Sequence, residues 1–186
     1  AEWLGEDAAG PFPRVRVRGP VALINLISAT PTALHLAQGR LGAAQIARLA
    51  EVLRETRAAG LYRLILLHHP VADGAVSARK SLTDAAELRA VLAQEGAELV
   101  LHGHAHAALV TRVPGPDGPI PVLGVPSASA RPGGHGEAAR WHELTIERTA
   151  GGFTTRVAAR GATADGGFEA LGAYRLGAVP VPVDSE

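Results

Sequence analysis

Five of the eight histidines cluster in two short stretches, His68-His69 and His102-Gly103-His104-Ala105-His106. Each stretch follows an apolar run that predicts a buried strand. Neutral imidazole is the commonest metal ligand among side chains, so histidines at two strand ends predict a metal site. His104 and His106 are two residues apart, and in extended backbone their side chains would leave the chain on the same side.

The segments around these histidines predict alternating strands and helices. Residues 21–27, 61–67 and 97–101 are apolar almost throughout, as expected of strands covered on both faces. A helix is predicted over 39–60 from its apolar stripe, and another after 81–84, whose hydroxyl and carboxylate groups suit an N-terminal cap. This order is typical of parallel β-α-β units, whose ligands gather outside the carboxyl ends of the strands. The predicted fold class is therefore α/β, with the histidines at that edge.

The sequence after His106 predicts antiparallel strands joined by turns. A Pro-Gly-Pro-Asp-Gly-Pro segment separates two apolar runs and indicates a hairpin, and Gly151-Gly152 separates two alternating runs. Residues 14–18 alternate arginine with valine, which indicates an edge strand. Residues 161–186 carry little pattern, so we expect a weakly structured tail on a single domain covering 1–186. The antiparallel segments are 107–113, 120–125, 141–148 and 153–160.

Composition excludes several classes of protein. The chain has 18 basic and 18 acidic residues, which argues against a broad surface for nucleic acid or anionic membranes. It has no cysteine, so disulfides and thiolate metal sites are excluded. No apolar run approaches the roughly 18 residues that span a bilayer, and we expect a cytoplasmic protein. Because the chain also lacks methionine, we expect it to be part of a longer protein or a processed product.

Three interpretations of the histidines compete. They are solvated residues without function, ligands of a zinc hydrolase with a His-x-His pair, or ligands of another metal enzyme. The metallo-β-lactamase type requires an Asp and a further His just after the pair, where Ala107 and Ala108 stand. An amidohydrolase barrel carries its pair on the first strand and continues with many β-α units, whereas this chain changes to antiparallel strands. These two zinc hydrolase types therefore do not match.

The motifs resemble those of the calcineurin-like metallophosphoesterases. Gly103 to His106 is similar to the Gly-His-x-His motif of that family, and Leu67 to Pro70 is similar to its upstream histidine motif. Gly39 to Gln45 resembles the start of a helix in that family, and Leu82 to Asp84 resembles a segment of the bacterial members of the family. The resemblance covers roughly residues 15–160 and implies part of a metallophosphoesterase α/β sandwich, with parallel β-α-β units followed by antiparallel strands.

The resemblance also implies ligands and a substrate. His68 and His104 would bind one divalent metal ion and His106 a second, with Mn, Fe or Zn as candidates for both ions. His69 would line the substrate site. The substrate would be a small phosphomonoester or phosphodiester, and neither a nucleic acid surface nor a membrane is implied.

The chain lacks the motifs of the first half of that family, namely Asp-x-His, Gly-Asp and Gly-Asn-His. Its only asparagine, Asn25, lies in an apolar run without a neighbouring Gly-Asn-His. We therefore expect the chain to be the C-terminal portion of the family's domain, to contain no catalytic residue and to show little or no turnover alone. The alternative is a catalytically inactive remnant that acts as a binding or scaffold module.

Overall fold

A computed structural model describes residues 11–134, 136–177 and 181–182, and His135 lies outside them. Two α-helices are present in these residues, α1 (Ala43–Ala58) and α2 (Ala85–Glu95). The strands, in chain order, are β1 (Arg14–Arg18), β2 (Val21–Asn25), β3 (Tyr62–Leu66), β4 (Leu99–His102), β5 (Leu109–Val113), β6 (Ile120–Gly124), β7 (Arg140–Thr149), β8 (Gly152–Ala162), β9 (Phe168–Leu176) and β10 (Val181–Pro182).

A six-stranded sheet in the order β1-β2-β3-β4-β6-β5 carries the histidines. Strands β2, β3 and β4 are parallel, β6 is parallel to β4, and the edge strands β1 and β5 are antiparallel to their neighbours. Leu66 pairs with Leu101, which pairs with Leu123, so three strands end at one edge. The predicted α/β class, the parallel β-α-β units and the first hairpin are confirmed.

The two faces of this sheet are covered by different layers. Alternate residues of each strand face alternate sides, so Ala22 and Ile24 pack with the helices while Leu64 and Leu99 pack against the second sheet. In α1, Leu49 and Leu53 are completely buried, which stabilises the fold by about 1.5–3 kcal/mol for each side chain. The second sheet is antiparallel, in the order β10-β9-β8-β7. No helix of the described residues is long and apolar enough to cross a membrane.

The start of α1 and the role of Asp84 differ from the sequence predictions. Helix α1 begins at Ala43 because Gly42 has a positive φ of 82°, which glycine adopts readily but which cannot continue a helix. Asp84 does not cap α2 through its side chain. Its carboxylate instead accepts hydrogen bonds from the backbone N–H groups of Leu41 (3.0 Å) and Gly42 (2.7 Å). The negative charge therefore stabilises the N-terminus of the other helix.

The prediction of a weakly structured tail over 161–186 is wrong for its first part. Strand β8 continues to Ala162, and β9 pairs with it along Phe168–Leu176. Most of β9 is exposed, so its sequence carries little hydrophobic alternation. Backbone hydrogen bonds to β8 hold this strand, and they require no side-chain pattern. Residues 178–180 and 183–186 lie outside the described residues.

Candidate metal centre

The parallel pairing of β3 and β4 brings the two histidine stretches together. The pairing continues past both strands, because the Leu67 N–H donates to the Leu101 carbonyl (3.1 Å) and the Gly103 N–H donates to the His68 carbonyl (3.1 Å). His68 and the turn that follows His102 are therefore neighbours. The sequence prediction that the two stretches meet at the carboxyl ends of the strands is confirmed.

His68 and His104 approach each other through their ring nitrogens. His68 Nε2 lies 3.0 Å from His104 Nδ1, and the two rings are inclined at 70°, with centroids 4.8 Å apart. The His69 ring also packs against His104, with centroids 4.3 Å apart. Neutral imidazole has one N–H and one lone pair, so the two nitrogens either share a hydrogen bond or direct lone pairs toward a cation between them. The pair is thus able to supply two nitrogen ligands to a single ion.

The expectation that His104 and His106 share an extended backbone is wrong. Strand β4 ends at His102, and both later histidines have left-handed backbone, with φ of 61° at His104 and 54° at His106. This region costs about 1–2 kcal/mol for a residue with a Cβ. His106 is exposed, and within the described ranges no hydrogen bond or ring contact joins it to the other histidines. Whether His106 binds a second ion stays a prediction.

His69 and His102 are buried beside the pair, each with 4% of its surface exposed. His69 Nδ1 lies 2.8 Å from the Ser28 hydroxyl and Nε2 lies 3.2 Å from the Ala37 carbonyl, so both nitrogens have protein partners. His102 Nδ1 lies 3.0 Å from the Gly103 carbonyl, whereas its buried Nε2 has no partner among the described residues. A substrate contact by His69 stays a prediction.

Burial lowers the pKa of three imidazoles of this cluster, those of His69, His102 and His104. Burial lowers the pKa of His104 to about 4, and the positive charges that His69, His68 and Lys80 carry or acquire add to the shift. Burial likewise lowers the pKa of His69 and of His102. A hydrogen bond to a backbone carbonyl raises the pKa of each ring, but the effect of burial is larger. Neutral rings are the form that binds metal, so at neutral pH no proton competes for these nitrogens.

The described residues fit part of a metal site. His104 Nε2 is buried and has no hydrogen-bond partner in the described part of the chain, so its ring has further capacity for a ligand. However, no group of three or more His, Cys, Asp or Glu side chains in the described residues is placed to hold a metal ion. The two-metal shell that the motifs imply is therefore not formed by these residues.

One element of the site, Ser28, was not identified from the sequence. Ser28 follows the end of β2 and contacts His69, and the same rule that located the histidines at strand ends would have found it. The turn Ala78–Lys80 belongs to the polar loop 71–80, which the sequence indicates beside the proposed site, with Arg79 and Lys80 either meeting phosphate or simply solvated. In the structure the turn is joined to the site through Ala37, whose N–H donates to the Arg79 carbonyl (2.9 Å) and whose carbonyl contacts His69.

Comparisons with solved structures gave several partial similarities, among them the following two. A dimetal phosphatase from Danio rerio has a TM-score of 0.43 at 18% identity, over 66% of this chain and 36% of its own. A putative 5'-nucleotidase from Staphylococcus aureus, in complex with alpha-ketoglutarate, has a TM-score of 0.41 at 14% identity, over 92% of this chain and 30% of its own. The chain thus spans about a third of either structure. No protein-family model and no curated protein matches it.

Proposed function

We propose that this chain supplies histidine ligands to a metal-dependent phosphoesterase that hydrolyses a phosphomonoester or phosphodiester. The observation that carries the proposal is the 3.0 Å approach of His68 Nε2 to His104 Nδ1 at the ends of neighbouring parallel strands. Both histidines belong to motifs that resemble those of calcineurin-like metallophosphoesterases, and the spacing of the motifs along the chain supports the same family.

The geometry of the pair supports a shared ion. Two nitrogens bound to one tetrahedral ion at about 2.0–2.1 Å lie about 3.3 Å apart. The observed separation of 3.0 Å is within a few tenths of that distance. Small ring rotations, together with a tautomer change that moves the shared proton to the other nitrogen of its own ring, would convert the pair from a hydrogen bond to two metal ligands. Neutral His104 does not have to release a proton to solvent for this change.

The proposal assigns the remaining ligands to residues outside this chain. Two nitrogens bind an ion weakly, and the motifs that would provide aspartate and asparagine ligands are absent from the sequence. For the isolated chain we propose weak binding of a single ion and little or no turnover. In the complete enzyme His106 would bind a second ion, and cytoplasmic location and the identity of the ions as Mn, Fe or Zn belong to the same proposal.

Calorimetric titration with Zn²⁺ or Mn²⁺ tests the ligand assignment. We expect the chain to bind a single ion and the His104→Gln variant to bind it at least about tenfold more weakly, because a ligand is lost. His35→Gln is the control, since His35 is exposed in a loop and belongs to neither motif. Unchanged binding in His104→Gln would refute the assignment, as would tight binding of two ions by the isolated chain.

Hydrolysis of bis(p-nitrophenyl) phosphate tests the activity. A longer protein that joins this sequence to Asp-x-His and Gly-Asn-His motifs is expected to hydrolyse the ester with Mn²⁺ and to lose activity in His104→Ala. If that protein is inactive with several metals and His104→Ala behaves identically, the chain is a binding or scaffold module instead.

A further inference from the structure

His69 is held between two loops by both of its ring nitrogens. The Ala37 carbonyl can only accept a hydrogen bond, so His69 Nε2 carries the proton and donates it over 3.2 Å. His69 Nδ1 then accepts from the Ser28 hydroxyl at 2.8 Å. With both nitrogens used and the ring buried, His69 connects the end of β2 to the segment 37–39.

The segment 37–39 is hydrogen-bonded in turn to the loop that contains Lys80. The Ala37 N–H donates to the Arg79 carbonyl (2.9 Å), and the Gln38 side-chain amide donates to the Ala78 carbonyl (2.9 Å). The Gly39 N–H donates to the Ser81 carbonyl at 3.1 Å. Movement of segment 37–39 would therefore move the whole loop.

The close packing of Gly39 fixes the distance between His69 and this segment. A Cβ at Gly39 would collide with the His69 ring, so only glycine allows the backbone to approach so closely. The Gly39 carbonyl also accepts from the Thr83 N–H (2.9 Å) and the Thr83 hydroxyl (3.0 Å). The histidine ring therefore acts as a spacer of fixed size between the sheet edge and the two loops.

The loop held in this way carries two cations, Arg79 and Lys80, which are exposed in the 3-10 turn Ala78–Lys80. A chain of contacts connects this turn to the imidazole pair: the Ala37 N–H donates to the Arg79 carbonyl (2.9 Å), the Ala37 carbonyl accepts from His69 Nε2 (3.2 Å), and the centroids of the His69 and His104 rings lie 4.3 Å apart. Lysine and arginine are the side chains that bind phosphate groups in proteins.

We propose that His69 is a positioning residue, which holds the turn Ala78–Lys80 beside His104 so that Lys80 contacts the phosphate group of the substrate. The inference rests on the proposed function, because it concerns the same site. It replaces the direct substrate contact predicted for His69 with an indirect role through Ala37.

Two variants of His69 separate its hydrogen bonds. In His69→Gln the side-chain amide reaches the position of Nε2 and still donates to the Ala37 carbonyl. In His69→Asn the shorter side chain reaches only the position of Nδ1, so the hydrogen bond to Ala37 is lost. In His69→Asn we expect hydrogen exchange at the amides of Ala37, Gly39 and Thr83 to accelerate about tenfold, as the loss of one hydrogen bond predicts. His69→Gln is expected to restore most of the protection, and His35→Asn in the neighbouring exposed turn is expected to change nothing.

Titration with inorganic phosphate in metal-free buffer, followed by amide chemical shifts of 78–81, tests the phosphate contact. We expect Lys80→Ala and His69→Asn each to weaken phosphate binding about fivefold, the effect of one unit charge at about 4 Å in water. In Lys80→Ala, exchange at Ala37 and Gly39 is expected to stay as in the wild type.

The proposal is overturned if the wild type shows no phosphate shift at this turn, if Lys80→Ala binds phosphate normally, or if His69→Gln and His69→Asn behave alike. Because the titration contains no metal, these results are independent of ion binding at His68 and His104. A failure of this proposal is therefore distinguishable from a failure of the proposed function, and Lys80→Ala, on an exposed turn, remains informative if a His69 variant does not fold.

Discussion

The buried Arg63 has hydrogen-bond partners at the amino end of the parallel sheet, whereas two buried histidine nitrogens at the carboxyl end have none in the described residues. At the amino end, Arg63 is 4% exposed and its guanidinium donates to the Glu98 carboxylate (2.6 and 3.0 Å) and to the carbonyls of Glu95 and Gly96. At the carboxyl end, the buried Nε2 atoms of His102 and His104 have no partner in the described residues. Satisfied polar groups stabilise the fold, whereas unsatisfied ones cost stability and indicate a ligand.

A cavity at the amino end of the sheet does not change this contrast. A cavity of about 300 Å³ lies at the amino end, with Tyr62, Arg63 and Glu98 in its lining. These groups already have partners, since the Tyr62 hydroxyl lies 2.7 Å from the Thr155 hydroxyl and Arg63 pairs with Glu98. No polar group of this set is left to recognise a ligand. The contrast favours the carboxyl end as the functional one.

The largest effect on stability is expected from Arg63→Met at the amino end. Removal of the guanidinium takes two hydrogen bonds from the Glu98 carboxylate, which keeps the Arg63 N–H, and leaves the Gly96 carbonyl without its side-chain donor, and we expect a loss of about 3 kcal/mol in the free energy of unfolding. Urea denaturation measures this loss. The control is Asp117→Asn, which breaks the exposed Arg57–Asp117 pair (2.8 Å) and is expected to cost less than about 1 kcal/mol. Equal losses in the two variants would contradict the contrast between buried and exposed pairs.

The sequence predicted the frame of the carboxyl end but not its local conformation. Strands β2 to β4 and helix α1 followed from apolar runs and helical spacing, because burial imposes those periods on the side chains. The left-handed backbone at His104 and His106 could not be predicted from the sequence, since neither residue is glycine or asparagine. Likewise the contact of Asp84 with Leu41 joins residues far apart in sequence, and a local capping pattern cannot predict a partner on another helix.

A smaller effect, with a distinctive pH dependence, is expected from Tyr62→Phe. The hydroxyl joins the two sheets through Thr155, and its loss is expected to cost about 1 kcal/mol at neutral pH. Burial, with a contribution from the Glu98 charge, raises the pKa of Tyr62 from 10.0 to about 12. A raised pKa means that the folded state favours the neutral phenol, so this stabilisation is present below pH 10 and is lost as the pH rises from 10 toward 12.

Denaturation at a series of alkaline pH values tests this dependence. The wild type is expected to lose stability between pH 10 and about 12 more steeply than Tyr62→Phe. Tyr174→Phe is the matched control, because burial also raises the pKa of Tyr174 but its ring is only half buried. Parallel pH profiles of the wild type and Tyr62→Phe would show that folding does not raise the pKa of the Tyr62 hydroxyl.

The smallest change in stability, and of opposite sign, is expected from His104→Gly at the carboxyl end. Glycine removes the strain of a φ of 61° and an unpartnered buried nitrogen, while it adds entropy to the unfolded chain. We expect a net gain of up to about 1 kcal/mol, since the left-handed region costs a residue with a Cβ about 1–2 kcal/mol. The neighbour Ala105 does not have a positive φ, so Ala105→Gly is expected to destabilise by about 0.4–1 kcal/mol.

The same two variants separate stability from ligand binding at His104. Thermal unfolding with and without Zn²⁺ is expected to show a shift for the wild type and Ala105→Gly, and none for His104→Gly. A histidine that strains the backbone and leaves Nε2 unpaired is retained at a cost in stability, and an ion bound at Nδ1 would offset that cost. If His104→Gly destabilises the fold more than Ala105→Gly does, His104 is a structural residue, and the difference between the two ends of the sheet loses its functional meaning.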